Sequence, residues 1–146
     1  MLPYFGFSQS YTQATDMDVN GVFIGGTYTK TQVTAKWGTP TSYWSATAEC
    51  GLEERYYYTT NLFCFSYNGI FETFNINTSN FVVFTAFSGG IKVGDNISRI
   101  STIGLGTPVL QSDGTYHLRK SSNNTDPLIF KHSSGVITQI MYFTSS

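Results

Sequence analysis

Short runs of apolar and aromatic residues, cut by Gly, Asn and Ser, dominate the chain. Ser42 to Thr47, Arg55 to Thr60, Leu62 to Tyr67 and Ile70 to Ile76 are rich in aromatic and β-branched residues and predict strands. Asn68-Gly69 accepts the positive φ of a tight hairpin turn. A second set follows: Val109 to Ser112, Thr115 to Lys120, Leu128 to His132 and Val136 to Phe143, with Asp113-Gly114 and Ser134-Gly135 as turns. Asn123 to Pro127 reads as a loop, and Phe81 to Phe87 as a strand that extends the first sheet before Ser88-Gly89-Gly90. Two segments are helical in pattern. Lys30 to Trp37 follows the capping-type run Thr27-Tyr28-Thr29; Ile97 to Ile103 follows Asp95-Asn96 and repeats Ile every third residue.

These elements recur. Gly38-Thr39-Pro40 returns as Gly106-Thr107-Pro108, an offset of 68, and Leu62 to Phe71 parallels Leu128 to Ile137, an offset of 66. Gly26 and Gly94 each precede the Gly-Thr-Pro copy by twelve residues. The fold expected is α+β: two tandem units, each a short helical element packed on a four-stranded antiparallel sheet. Residues 1–19 form an N-terminal tail, 20–87 the first unit and 88–146 the second. An all-β sandwich is the rival if the helical segments are strands or loops.

A two-residue turn at Asn68-Gly69 pairs Phe63 with Phe74 and Phe65 with Glu72. Phe63, Phe65, Tyr67, Ile70, Phe74 and Ile76 then form the core face, with Leu62, Cys64, Ser66, Phe71, Thr73 and Asn75 opposite. The same register puts Ile129, Val136, Ile140 and Tyr142 inward and Leu128, Phe130, Ile137, Met141 and Phe143 outward. That outward face is apolar enough to need a cover: the other unit, a second chain or a partner. Trp44, Tyr56 and Tyr58 make a candidate binding platform, joined by Phe130 and Met141; ordinary cross-strand aromatic packing is the competing reading of the tyrosines.

A Gly, a short helical element ending in Gly-x-Pro and a four-stranded meander, in tandem from Gly21 onward, resemble the β-lactamase-inhibitor-protein-like fold, to which the small lipoprotein of the outer-membrane barrel-assembly machine is related. The resemblance implies binding rather than catalysis. In those inhibitors an acidic residue on a first-unit hairpin enters the enzyme. The matching turn here, Thr59-Thr60-Asn61, has no acid, so that residue role does not transfer.

Composition narrows the classes. Only 12% of the 146 residues are charged and the formal net charge is -1, which argues against a nucleic-acid partner. No apolar run approaches the roughly 20 residues of a membrane-spanning helix. Thr, Ser, Asn and Tyr take the place of charge, a composition suited to a secreted, periplasmic or cell-envelope protein of bacterial type. Met1 to Ser10 is either the remnant of a signal peptide or a loose terminus. Cys50 and Cys64 allow one disulfide or stand as two separate thiols.

Chemistry-bearing motifs are sparse. Asp16 to Gly21 opens like a calcium loop, but Thr27 stands where a bidentate Glu belongs, so a polar turn is expected. His117 and His132 lack a third metal ligand, and Glu49, Glu53 and Glu54 sit in one turn rather than across a cleft. No metal or cofactor is expected, and no enzyme. The function expected is that of an exported, non-enzymatic protein-binding module using open sheet faces; an inhibitor-like protein is the narrower version that the family resemblance suggests. A cell-envelope assembly or anchoring factor and a carbohydrate-binding domain are the alternatives. The partner is a protein whose identity the sequence does not give, and a homo-oligomer is compatible with the pattern.

Overall fold

The computed structural model describes residues 17–45, 53–66, 68–85, 89–104, 106–119 and 126–143. Eight strands form one continuous antiparallel sheet: β3 (Ser42–Ser45), β4 (Glu53–Tyr58), β5 (Asn61–Ser66), β6 (Phe71–Ile76), β8 (Val109–Leu110), β9 (Tyr116–Arg119), β10 (Pro127–Ser133) and β11 (Val136–Tyr142). Their order is β3-β4-β5-β6-β11-β10-β9-β8. A smaller sheet of β1 (Met17–Val19), β2 (Val22–Phe23) and β7 (Val83–Thr85) has the order β2-β1-β7. Among the described residues the helical elements are α1 (Lys30–Trp37) and a 3₁₀ turn over Ile97–Thr102.

The expected α+β pair of separate helix-on-sheet units is therefore incorrect. The protein is mostly β, and the two copies merge through the β6–β11 ladder. The Phe81 to Phe87 segment joins the small sheet, not the first meander, because Val83–Thr85 pairs with Met17–Val19. The second helical segment is a 3₁₀ turn and not an α-helix, for a physical reason. Ile97, Ile100 and Ile103 repeat every three residues, the period of a 3₁₀ helix, whereas an α-helical face needs intervals of both three and four. Ile100 and Ile103 are buried along that stripe. In α1, Thr29 and Gln32 form a reciprocal capping box, and the apolar pair Val33 and Trp37 faces the sheet.

The copies are related by a pseudo-twofold. Gly25 N–H donates to Phe71 O, and Gly94 N–H to Ile137 O; Phe71 N–H donates to Gly26 O, and Ile137 N–H to Asp95 O; Tyr28 N–H donates to Gly69 O, and Ile97 N–H to Gly135 O. Three hydrogen bonds thus hang each helical segment from its own hairpin in the same way. Across the β6–β11 ladder Asn75 faces Met141, separated by the 66-residue offset of the repeated hairpin. The dyad therefore passes between β6 and β11, and β1 and β7 pair across the two copies in the small sheet.

Two β-bulges, at Cys64/Phe65 and Lys131/His132, correct the expected faces. A bulge adds one residue to one strand and flips alternation beyond it. Phe65 pairs with Phe71 instead of Glu72, so Phe71 is buried. Phe130 pairs with Ile140, so Leu128, Phe130 and Ile137 turn inward with Ile140 and Tyr142. Val136 and Ile129, assigned to the core by simple alternation, remain exposed and half-buried. Trp37 is the hub of the first-copy core. Its ring lies 4.4 Å from Phe63 and 5.5 Å from Phe71, with Tyr58, Phe65 and Phe81 around it, and its Nε1–H donates to Val19 O at 2.9 Å.

Candidate functional site

The described second layer lies on one side of the large sheet. The buried side chains of α1, of the 3₁₀ turn and of the small sheet all join one core cluster with Phe63, Phe74, Phe130 and Ile140. Among the described residues no element packs on the other side, the open face. Register carries one row across all eight strands: Ser42, Tyr57, Leu62, Asn75, Met141, Ile129, His117 and Val109. A neighbouring row runs through Trp44, Arg55, Cys64 and Thr73. Near the dyad, Gln139 Nε2 donates to Asn75 Oδ1 at 2.6 Å and ties the halves.

Trp44 is 46% exposed and Phe143 is 49% exposed, while Tyr56, Phe63 and Phe130 on the core side are at 0%. The Arg55 guanidinium lies 4.7 Å from the centre of the Trp44 ring, and its Nη2 is 2.9 Å from Glu53 Oε1. That hydrogen bond holds the Glu53 carboxyl below its ordinary pKa, outweighing its partial burial. Lys131 and Arg119 alternate onto this same open side from β10 and β9.

Of the residues singled out from sequence, Trp44 and Met141 lie on the open face, Trp44 46% exposed and Met141 buried at 8%. Tyr56, Tyr58 and Phe130 point the other way and are buried. Alternation along β4 explains it: Glu53, Arg55 and Tyr57 share one side, Glu54, Tyr56 and Tyr58 the other. Burial pushes the Tyr56 phenol up to beyond its usual range and the Tyr58 phenol to about 12. Arg55, Tyr57 and Leu62 were missed, although the alternation of Tyr56, Tyr57 and Tyr58 carried the signal.

Cys64 is a free thiol on the open face, and Cys50 lies outside the described residues. Burial raises the Cys64 thiol to about 11. In the calcium-like segment, Asp18 Oδ2 accepts from Gly21 N–H at 2.9 Å, closing the turn between β1 and β2; Asp16 lies outside the described residues. His117 is on the open face, whereas His132 packs against Tyr116, 5.4 Å between ring centres. Glu54 accepts from the Tyr43 hydroxyl, Glu53 is bound to Arg55, and Glu49 lies outside the described residues. Among the described residues no group of three metal-ligating side chains converges, and no helix is long and apolar enough to cross a membrane.

No protein-family model, curated protein or solved structure matches this chain.

Proposed function

We propose that this chain is a non-enzymatic protein-binding module whose contact surface is the open face of its eight-stranded sheet. One observation carries the reading: a core sealed on one side of the sheet, against a half-buried face with Trp44 and Phe143 about half exposed on the other (46% and 49%). Aromatic residues and Arg are enriched where proteins meet, because they offer large contact area with a polar edge. Lys131 and Arg119 lie on this face, and the Arg55 guanidinium there is paired with Glu53. The complementary partner surface carries apolar patches that meet Trp44 and Phe143. The low charge content and the Thr-, Ser- and Tyr-rich strands support an exported setting, secreted or in the cell envelope. The inhibitor-like version of the reading rests on the sequence resemblance alone.

The test is cross-linking capture from the native envelope and medium, followed by titration of the purified partner. Trp44→Ala with Tyr57→Ala should lose the partner while far-UV circular dichroism stays unchanged. Trp44→Ala alone should weaken Kd by about tenfold, the usual effect of removing an aromatic anchor. A partner held equally well by wild type and double variant would move the contact surface elsewhere.

A further inference from the structure

A second, separate site lies on the core side of the sheet, where the C-terminal end of α1 meets the β4–β5 turn. There a pocket of about 580 Å³ is lined by Trp37, Tyr58 and Phe81, with Lys36, Thr39 and Asn80 among its rim residues. Its volume falls within the range of roughly 300–1,000 Å³ typical of small-molecule sites. Its walls are fixed by internal bonds. Tyr58 O–H donates to Gly38 O at 2.8 Å, and Thr41 Oγ1–H to Tyr57 O at 2.8 Å. The buried Asn61 amide donates to Tyr58 O at 3.0 Å and accepts from the Asn77 and Thr78 N–H groups. A pocket held this way does not need to be ordered by its ligand.

Three rim side chains are left unspent: among the described residues, the Lys36 ammonium, the Thr39 hydroxyl and the Asn80 carboxamide make no side-chain hydrogen bond or ion pair. No Asp or Glu lines the pocket, and Lys36 is its one charged side chain. The hydroxyl and the carboxamide each both donate and accept, which is the pattern that ring hydroxyls present in return. Of the aromatic lining, Trp37 is half-buried and offers surface to an apolar ring, while Tyr58 and Phe81 are buried behind it. We propose that this pocket binds a sugar acid. The carboxylate takes the Lys36 ammonium, the ring packs on Trp37, and the hydroxyls exchange hydrogen bonds with Thr39 and Asn80. A free sugar acid and the end residue of an acidic polysaccharide offer the same chemistry. An aromatic acid or a peptide C-terminus would leave the hydroxyl and the amide unused.

The experiment uses the full chain carrying Trp44→Phe, so that Trp37 is the remaining indole of the two in the sequence. Tryptophan emission is followed while glucuronate, an oligogalacturonate, glucose and N-acetylphenylalanine are added in turn. Glucuronate or the oligomer should bind at least about tenfold more tightly than glucose, the scale of one charge-assisted hydrogen bond. Lys36→Gln should abolish that preference without moving the thermal midpoint, because Lys36 is exposed. Asn80→Ala should weaken acid and neutral sugar alike. Binding of the monomer assigns a free sugar acid, and binding of the oligomer alone assigns a polysaccharide end. Silence toward both acids, equal affinity for glucose, or a preference for N-acetylphenylalanine would overturn the proposal.

Discussion

Gly69 and Gly135 occupy equivalent hairpins, both at φ 80°, and both carbonyls accept from the segment that leads into a helix. Their surroundings differ. A Cβ at Gly69 would sit 2.6 Å from Tyr28 O, inside the 3.0 Å that real Cβ atoms keep, whereas one at Gly135 meets nothing within 4 Å. Gly135→Ala therefore costs the left-handed backbone alone. That is about 1–2 kcal/mol, partly offset by the lower entropy of the unfolded alanine chain, for a net loss of about 1 kcal/mol. Gly69→Ala carries the same cost and must also push Tyr28 away. The displaced segment would weaken the Tyr28 N–H to Gly69 O bond of 2.8 Å, worth about 1 kcal/mol. It would also shift the buried Tyr28 ring against Phe65, an overpacking cost of about 1–3 kcal/mol. The expected loss is about 3–4 kcal/mol, so the two variants should differ by about 2 kcal/mol or more. Urea titration with an unchanged m-value measures both. Equal losses, within about 0.5 kcal/mol, would refute the idea that close approach of the Tyr28 carbonyl sets the requirement at Gly69.

Two further predictions concern single atoms. Tyr58→Phe removes the bond to Gly38 O and should cost about 1 kcal/mol in urea, whereas Tyr56→Phe deletes a buried hydroxyl without a partner among the described residues and should be neutral or stabilising by about 1 kcal/mol. In a Cys50→Ser chain, alkylation of Cys64 by iodoacetamide should be slow at pH 8 and accelerate toward pH 11, since burial keeps the thiol protonated up to about 11; fast labelling at pH 8 would contradict the burial of that side chain.

Strand positions and turn residues were readable because aromatic and β-branched runs bracketed by Asn-Gly, Ser-Gly and Asp-Gly have few other solutions. Facing was not. Nothing in the residue pattern distinguishes a regular ladder from one with an extra residue, Glu72 opposite Cys64/Phe65 or Thr138 opposite Lys131/His132, yet each bulge inverts the strand beyond it. Phe71, Leu128, Phe130 and Ile137 changed sides for that reason. The candidate site was half legible for a related cause. Trp44 stands on an edge strand and Met141 on the dyad, and both reach the open face, but Tyr56 and Tyr58 were chosen over their neighbour Tyr57. Trp37 was passed over as a helix end, although Val33 and Trp37, four apart, are the apolar pair that α1 offers a core.

The dyad through Asn75 and Met141 has a consequence for how the two halves could diverge. A single copy would leave the outer edges of β6 and of its small-sheet strand unpaired, and two loose copies could satisfy those edges only as an isologous dimer in which residue 75 meets its own mate. Joining the copies in one chain replaces a concentration-dependent association with an intramolecular one. It also lifts the demand for self-complementarity. The central position can then be an amide on one side and a thioether on the other, and each outer wing can evolve its own surface without the change appearing twice.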